Sequence, residues 1–190
     1  MDLARLSKCG KIINYKAEDI ICLEKQPGST AYLLLQGTAN VVLGSFNDSH
    51  RKMAVLPTGT IFGEMSLLEG NPRSATVLAG GDDTIALEIG KDDFLNLLKT
   101  DPELAYKLLR TMYTRMEDSM NNNSGYLVAF NAEVRKDATY QQISKLSEEQ
   151  FKMIVQKDGQ HAVKLLTYLS HKLTEIDKKV IEVTSTKHNS

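Results

Sequence analysis

The sequence predicts an α+β protein in which a small antiparallel β domain is followed by helices. Two observations support this fold class. Before about Lys91, short runs rich in β-branched residues are separated by glycine and turn residues, whereas beyond it apolar residues recur at helical spacing. Many short strands at such intervals indicate a small antiparallel barrel or sandwich. Hydrophobic residues make up 42% of the 190 positions, so the chain can bury a core.

Seven strands are predicted in the first half of the chain. Each run ends at residues that favour turns, such as Pro27-Gly28-Ser29 and Gly80-Gly81-Asp82. The predicted strands are residues 11–15, 19–23, 31–36, 38–43, 51–56, 74–79 and 83–89.

Two helices are predicted next. The first covers residues 92–98 and has acidic residues at its positively polarised end. Asp101 is the predicted N-cap of a longer helix, with Pro102 at its first position. The polar run 121–125 interrupts this helix, so we predict two domains, 1–120 and 121–190. One broad face of the longer helix carries Leu104, Ala105, Leu108, Leu109, Met112, Met116 and Met120.

The last third of the chain echoes these two helices at a shift of 57 positions. Ser147 and Gln150 form a predicted capping box ahead of helices over 147–156 and 160–183. The pattern arises either from duplication or from two unrelated amphipathic helix pairs. The shift places Phe151 on Phe94, Ile154 on Leu97, Asp158 on Asp101, Ala162 on Ala105, Leu165 on Leu108, Leu166 on Leu109, Leu169 on Met112 and Leu173 on Met116.

Residues 61–77 carry the strongest chemical signal. Gly63 has no Cβ, so the backbone there can approach a ligand closely. Residues 64–68 can form one helical turn, whose free N–H groups suit an anion. Arg73 adds a cation, and the Glu64 carboxylate can accept hydrogen bonds from sugar hydroxyls. This spacing suits a sugar phosphate.

This segment resembles a known cassette. Phe62-Gly63-Glu64-Met65-Ser66, a short insert and Arg73-Ser74-Ala75-Thr76-Val77 are similar to the phosphate-binding cassette of cyclic nucleotide-binding domains. Such domains occur in bacterial catabolite-activator-type regulators, kinase regulatory subunits and cyclic-nucleotide-gated channels. The resemblance covers about residues 5–120 and includes the segments 15–21 and 27–37. It implies an antiparallel, jelly-roll-like β-roll flanked by helices.

The resemblance also implies a set of ligand contacts. Glu64 would accept the ribose 2′-hydroxyl, and Arg73 would pair with the cyclic phosphate with help from Ser74. The expected ligand is cAMP more than cGMP, and no metal or further cofactor is expected. The remaining expected site residues are Phe62, Gly63, Met65, Ser66 and Ala75 in the cassette, Val41, Met53 and Ala54 on the walls, and Ser119 near the base.

Two departures from the family pattern limit what can be transferred. Lys25-Gln26 stands where the family usually has Gly-Asp, which questions the geometry of that turn. No helix-turn-helix follows the long helix, so the transcription-factor function does not transfer. We therefore expect a receptor, not an enzyme, that signals through helix rearrangement and protein contacts. One alternative is a scaffold or dimerisation module with this fold whose cassette no longer responds to ligand. Others are that Glu64 and Arg73 form only a structural ion pair beside a turn, and that the last helices bind DNA.

Net charge and composition limit the classes of partner that the chain can be expected to bind. The formal net charge is −1, which disfavours binding to nucleic acid. No apolar run has the length of a membrane span, and Cys9 and Cys22 do not form a disulfide framework, so we expect a cytoplasmic protein. A homodimer through the 102–120 helix is expected, because a small β domain cannot cover its apolar face. An unidentified effector protein would receive the signal.

Overall fold

The computed structural model describes residues 8–43 and 51–187. The chain divides into two compact units, residues 1–96 and 97–190. The predicted domain boundary at position 120 lies inside the second unit and stays a prediction.

The described residues of the first unit form eight strands in two antiparallel four-stranded sheets, which confirms the predicted α+β fold with a β-roll. One sheet has the order β1-β8-β3-β6 and the other β2-β7-β4-β5. The strands are β1 (Lys11–Tyr15), β2 (Ile20–Cys22), β3 (Thr30–Gln36), β4 (Thr38–Leu43), β5 (Arg51–Pro57), β6 (Ile61–Phe62), β7 (Thr76–Ala79) and β8 (Thr84–Gly90).

A core of buried residues from both sheets holds this unit together. Strand β3 pairs with both β8 and β6, so it lies centrally in its sheet, and all of Ala31 to Leu34 are buried. One buried cluster draws on both sheets, which is how a β-roll hides its two inner faces. Its buried members are Ile21, Cys22, Tyr32, Leu34, Ala39, Phe62, Val77, Ala79 and Ala86.

The seven predicted strands are all present within a few residues of their expected bounds. The sequence did not predict β6, because two residues are too short to show an alternating pattern. A short helix α1 (Glu64–Glu69) follows β6, where one helical turn was predicted. It lies between Gly63 and Gly70, whose φ angles of 73° and 75° are left-handed. Helix α2 (Lys91–Thr100) begins where β8 ends.

The second unit is helical. Asp101 caps α3 by accepting a hydrogen bond from the N–H of Leu104 at 3.0 Å, as the sequence predicted. The Ser147–Gln150 capping box before α6 is also confirmed. The short helices α4 and α5 were not individually predicted. The helices are α3 (Pro102–Asn122), α4 (Val128–Lys136), α5 (Ala138–Lys145), α6 (Glu148–Lys157) and α7 (Gly159–Lys187).

The apolar face of α3 corrects the argument for a homodimer. Leu109, Met112, Met116 and Met120 are completely buried within the single chain. Helix α3 packs against α6 and α7, so the chain's own C-terminal helices cover residues that the sequence suggested would need a second protomer. The dimer prediction thereby loses its structural basis. Within residues 8–43 and 51–187, no helix has the length and apolar character needed to cross a bilayer.

Candidate functional site

Arg73 lies between α1 and β7. Its backbone is hydrogen-bonded to the turn that contains Lys25 and Gln26. The N–H of Lys25 donates to the carbonyl oxygen of Arg73 at 2.9 Å, and the N–H of Arg73 donates to the carbonyl oxygen of Gln26 at 2.9 Å. Lys25 adopts a φ of 67°, a left-handed conformation that glycine adopts most easily. The turn that the sequence called into question therefore forms, with a strained lysine in the position of the family's glycine.

The Arg73 side chain is only 7% exposed. Its Nη1 donates to the carbonyl oxygen of Gly63 at 2.7 Å, and its Nη2 donates to the carbonyl oxygen of Thr30 at 2.7 Å and to Thr30 Oγ1 at 3.2 Å. The guanidinium carbon lies 5.8 Å from the centre of the Tyr32 ring, within cation–π range. These hydrogen bonds all end on uncharged oxygens, so they orient the guanidinium without neutralising its charge.

Two glycines leave the space that the guanidinium occupies. A Cβ on Gly28 would come within 2.5 Å of the Cβ of Ser66 and 2.8 Å of Arg73 Cζ. A Cβ on Gly63 would come within 2.6 Å of Arg73 Nη1. All three distances are shorter than van der Waals contact allows. The two glycines are therefore required by the position of Arg73, and not only by the turns in which they lie.

Glu64 begins α1 and is 2% exposed. The charges of Arg73 and Glu64 both affect the buried Cys22 thiol. Burial raises the pKa of Cys22 to about 11, the Arg73 charge partly opposes this rise, and the Glu64 charge adds to it. Both charges therefore act on the same buried sulfur. The hydrogen bonds of Arg73 that orient its guanidinium go to Gly63 and Thr30, and the alternative of a structural Glu64–Arg73 ion pair stays open.

The structure groups part of the predicted site around Arg73. Gly63 contacts the guanidinium directly, and Glu64, Met65 and Ser66 follow it as the buried first turn of α1. Phe62 precedes them and is buried in the core, where its ring stacks on Tyr32 at 5.2 Å between centroids.

The other predicted residues lie in different settings. Ser74 is exposed, Ala75 and Val41 are half-buried, and Val41 packs on the core cluster. Ala54 is exposed on β5, and the side chain of Met53 falls outside the described part of the chain. Ser119 belongs to α3 in the second unit, where its carbonyl oxygen accepts a hydrogen bond from the Asn123 side chain at 2.8 Å. The roles assigned to all of these residues stay predictions.

Sequence reasoning missed several residues of this site. Thr30 supplies two acceptors to Arg73, and Gly28 makes room for it. Tyr32 contacts the guanidinium face and also donates a hydrogen bond from its hydroxyl to Glu88 Oε1 at 3.1 Å. Their segment, 27–37, was matched to the β-roll as a whole. Its Pro-Gly-Ser-Thr run could have indicated a close approach, but the partner is 43 residues away in sequence.

The comparisons with known proteins agree with this geometry. Residues 12–101 match the family model of the cyclic nucleotide-binding domain. A cyclic AMP receptor protein from Thermus thermophilus is 32% identical over 92 residues, which cover 48% of this chain and 42% of that protein. A cAMP-dependent protein kinase regulatory subunit from Aspergillus niger is 33% identical over 95 residues, 50% of this chain and 22% of that protein.

A structural neighbour supports the fold. A cAMP-binding acyltransferase from Mycobacterium smegmatis superposes with a TM-score of 0.53 and 21% identity over 62% of this chain and 36% of that one. The chain spans less than half the length of each of these three relatives. The family match, the two sheets and the Arg73 site all fall within the same segment, and residues 12–101 therefore belong to the cyclic nucleotide-binding domain family.

Proposed function

We propose that this chain is a cyclic nucleotide receptor in which Arg73 holds the cyclic phosphate. The observation that carries the proposal is the Arg73 guanidinium, which is 7% exposed and oriented by hydrogen bonds to uncharged oxygens. A charge removed from water is costly unless an opposite charge compensates it. A cyclic phosphate offers one negative charge and oxygens that suit the planar donors of arginine.

The neighbouring residues suit the rest of a cyclic ribose phosphate. Gly63 permits a close approach, because a side chain there would meet the guanidinium. Glu64 is an acceptor for the ribose 2′-hydroxyl, and burial strengthens such a hydrogen bond. Ser74 is exposed next to Arg73 and adds a hydroxyl. We propose these three residues as the positioning groups around the Arg73–phosphate pair.

We propose cAMP as the preferred ligand. Arg73 followed by Ser74 is compatible with cAMP, and two of the relatives named above are described as a cyclic AMP receptor protein and a cAMP-dependent kinase subunit. A cGMP-dependent protein kinase from Homo sapiens is also similar, at 29% identity over 103 residues. Base preference therefore needs a direct comparison of the two nucleotides.

The hydrogen bonds of Arg73 suggest how binding is signalled. The guanidinium joins the carbonyl of Gly63, the N-cap of α1, to Thr30 at the start of β3. A phosphate that accepts hydrogen bonds from some of these Arg73 donors weakens the bonds of Arg73 to Gly63 and Thr30. The contacts of α1 and β3 then differ between the free and bound states, as a population shift requires. We propose that this change passes to the helices and from them to an effector protein, with no catalytic step in this chain. Neither Cys9 nor Cys22 forms a disulfide within the described part of the chain, which fits our proposal of a cytoplasmic location.

Calorimetric titration with cAMP, cGMP and, as a control, 5′-AMP tests the proposal. We expect saturable binding of one equivalent of cAMP, weaker binding of cGMP, and much weaker binding of the non-cyclic control. The absence of heat with both cyclic nucleotides at millimolar concentration would instead favour the scaffold alternative, in which the β-roll has lost its ligand.

A further inference from the structure

We infer that helices α6 and α7 take the place of a second copy of α2 and α3, so that the apolar face of α3 is an interface occupied within the chain itself. This inference goes beyond nucleotide binding and does not depend on it. It assigns a role to the helices that follow the family segment, which ends at residue 101.

The helix boundaries repeat at the 57-residue shift. Helix α2 covers Lys91–Thr100, and α6 covers Glu148–Lys157, so both ends of the helix agree. Helix α3 begins at Pro102 and α7 at Gly159, again 57 positions apart. An aspartate stands between the helices of each pair. Asp101 Oδ1 accepts from Leu104 N at 3.0 Å, and Asp158 Oδ1 accepts from the equivalent His161 N at 3.3 Å and from Gln160 N at 3.0 Å.

Burial repeats at the same shift. Five equivalent positions on α3 and α7 are buried to nearly the same extent over about three helical turns. The matched pairs, with their exposed fractions, are Ala105 and Ala162 (0% and 0%), Leu108 and Leu165 (1% and 3%), Leu109 and Leu166 (0% and 0%), Met112 and Leu169 (0% and 0%), and Met116 and Leu173 (0% and 2%).

The two pairs meet as the halves of a two-fold dimer would. Helix α3 packs against α7. The start of α7 lies against the end of α2, because a Cβ on Gly159 would come within 2.8 Å of the Cα of Lys99. Further along, Arg115 on α3 interacts electrostatically with Asp177 on α7. The contacts advance in the same direction along both helices, so α3 and α7 run parallel with equivalent faces inward, the arrangement expected of an isologous interface.

Contacts at the break between the helices extend this arrangement. Tyr106 on α3 lies against Phe151 on α6, with ring centroids 5.8 Å apart. Lys152 on α6 lies 3.6 Å from Glu103 on α3. The second pair departs from the first at several positions. Leu97 is buried whereas its equivalent Ile154 is only half-buried, and the adjacent Met153 is 59% exposed. The buried Leu104 and Met120 correspond to a half-buried His161 and an exposed Asp177. Helices α6 and α7 thus supply the helical half of a partner without a second nucleotide site.

The inference predicts that this chain does not dimerise through α3. Light scattering after size exclusion, at micromolar and at submillimolar concentration, should give the mass of one chain. A cysteine pair gives a more local test: Met112→Cys with Leu169→Cys should form a disulfide within one chain, detected as a faster band on a non-reducing gel. Met112→Cys with Lys178→Cys is the matched control and should not, because Lys178 lies exposed on α7.

The contrary result is equally specific. If the single variant Met112→Cys links two chains through equivalent cysteines, then α3 faces α3 of another protomer and the inference is wrong. If the wild-type chain is a dimer but the disulfide of the Met112→Cys, Leu169→Cys variant still forms within one chain, the inference is supported, because the association then uses another surface. The wild-type mass and the solvent reactivity of a Met112→Cys thiol, expected to be low, remain informative if the double variant folds poorly.

Discussion

The Nη1 of Arg73 donates a hydrogen bond of 2.7 Å to the carbonyl oxygen of Gly63, the residue that caps α1. The cation proposed to bind phosphate is thus tied directly to the backbone of the short helix beside it. Because Gly63 has a φ of 73° and no room for a Cβ, its identity and the position of Arg73 depend on each other. This hydrogen bond directly joins the Gly-Glu and Arg-Ser halves of the cassette.

Substituting Gly63 by alanine should lower both the stability of the chain and its affinity for cAMP. Gly63→Ala adds a methyl group within 2.6 Å of Arg73 Nη1, so we expect a loss of stability of about 1–3 kcal/mol and at least a tenfold (~1.4 kcal/mol) loss of cAMP affinity. The measurements are urea denaturation and calorimetry.

Gly70→Ala is the matched control. Gly70 has a φ of 75°, and nothing lies within 4 Å of its missing Cβ. The substitution should therefore cost a similar left-handed penalty, with cAMP affinity unchanged. Equal affinities for the two variants would show that the Gly63–Arg73 contact does not matter for binding.

Lys25→Gly should stabilise the chain. Lys25 has a φ of 67°, and the left-handed conformation costs a non-glycine residue about 1–2 kcal/mol. Glycine avoids this cost but loses about 0.5–1 kcal/mol more conformational entropy on folding, so the expected net gain is about 0.5 kcal/mol. Lys25→Ala retains the strain and should show no such gain in thermal or urea denaturation. A less stable Lys25→Gly variant would mean that the turn is not strained.

Alkaline pH should destabilise the first unit through Cys22. Burial raises the pKa of this thiol from an ordinary value of 9.0 to about 11, so the unfolded chain loses the proton first as the pH rises. Stability should therefore fall between pH 9 and pH 11, by roughly 2–3 kcal/mol for this group. Tyr15 and Tyr32 also have pKa values raised by burial, and their contribution is removed by comparison with Cys22→Ala. Parallel pH profiles for wild type and Cys22→Ala would contradict this prediction.

Much of the fold was predictable because its signals are local. Strand alternation, turn residues and caps such as Asp101 act over a few positions, and the seven predicted strands were found. The 57-residue echo placed the boundaries of α6 and α7 within a few residues. Strand β6, with only two residues, has no pattern of its own and is defined by its pairing with β3.

The contacts of the site were less predictable because they join distant segments. The motif identified Arg73 and Gly63, but no local pattern shows that Thr30 accepts from Arg73 or that Gly28 clears its space. The apolar face of α3 illustrates the same limit. Its period predicted correctly that it would be covered, whereas the identity of the covering surface depends on α7, which begins almost 60 residues later.

The most direct test of the central claim is a calorimetric comparison of cAMP binding by the wild-type chain and by Arg73→Lys. Lysine keeps the charge but cannot reach both Gly63 and Thr30 while presenting a planar pair of donors to a phosphate. We expect saturable binding by the wild type and a loss of at least about tenfold, ~1.4 kcal/mol, in the variant. Equal affinity of the two proteins, or no binding of cAMP or cGMP by the wild type, would contradict the assignment of Arg73 as the phosphate-binding residue.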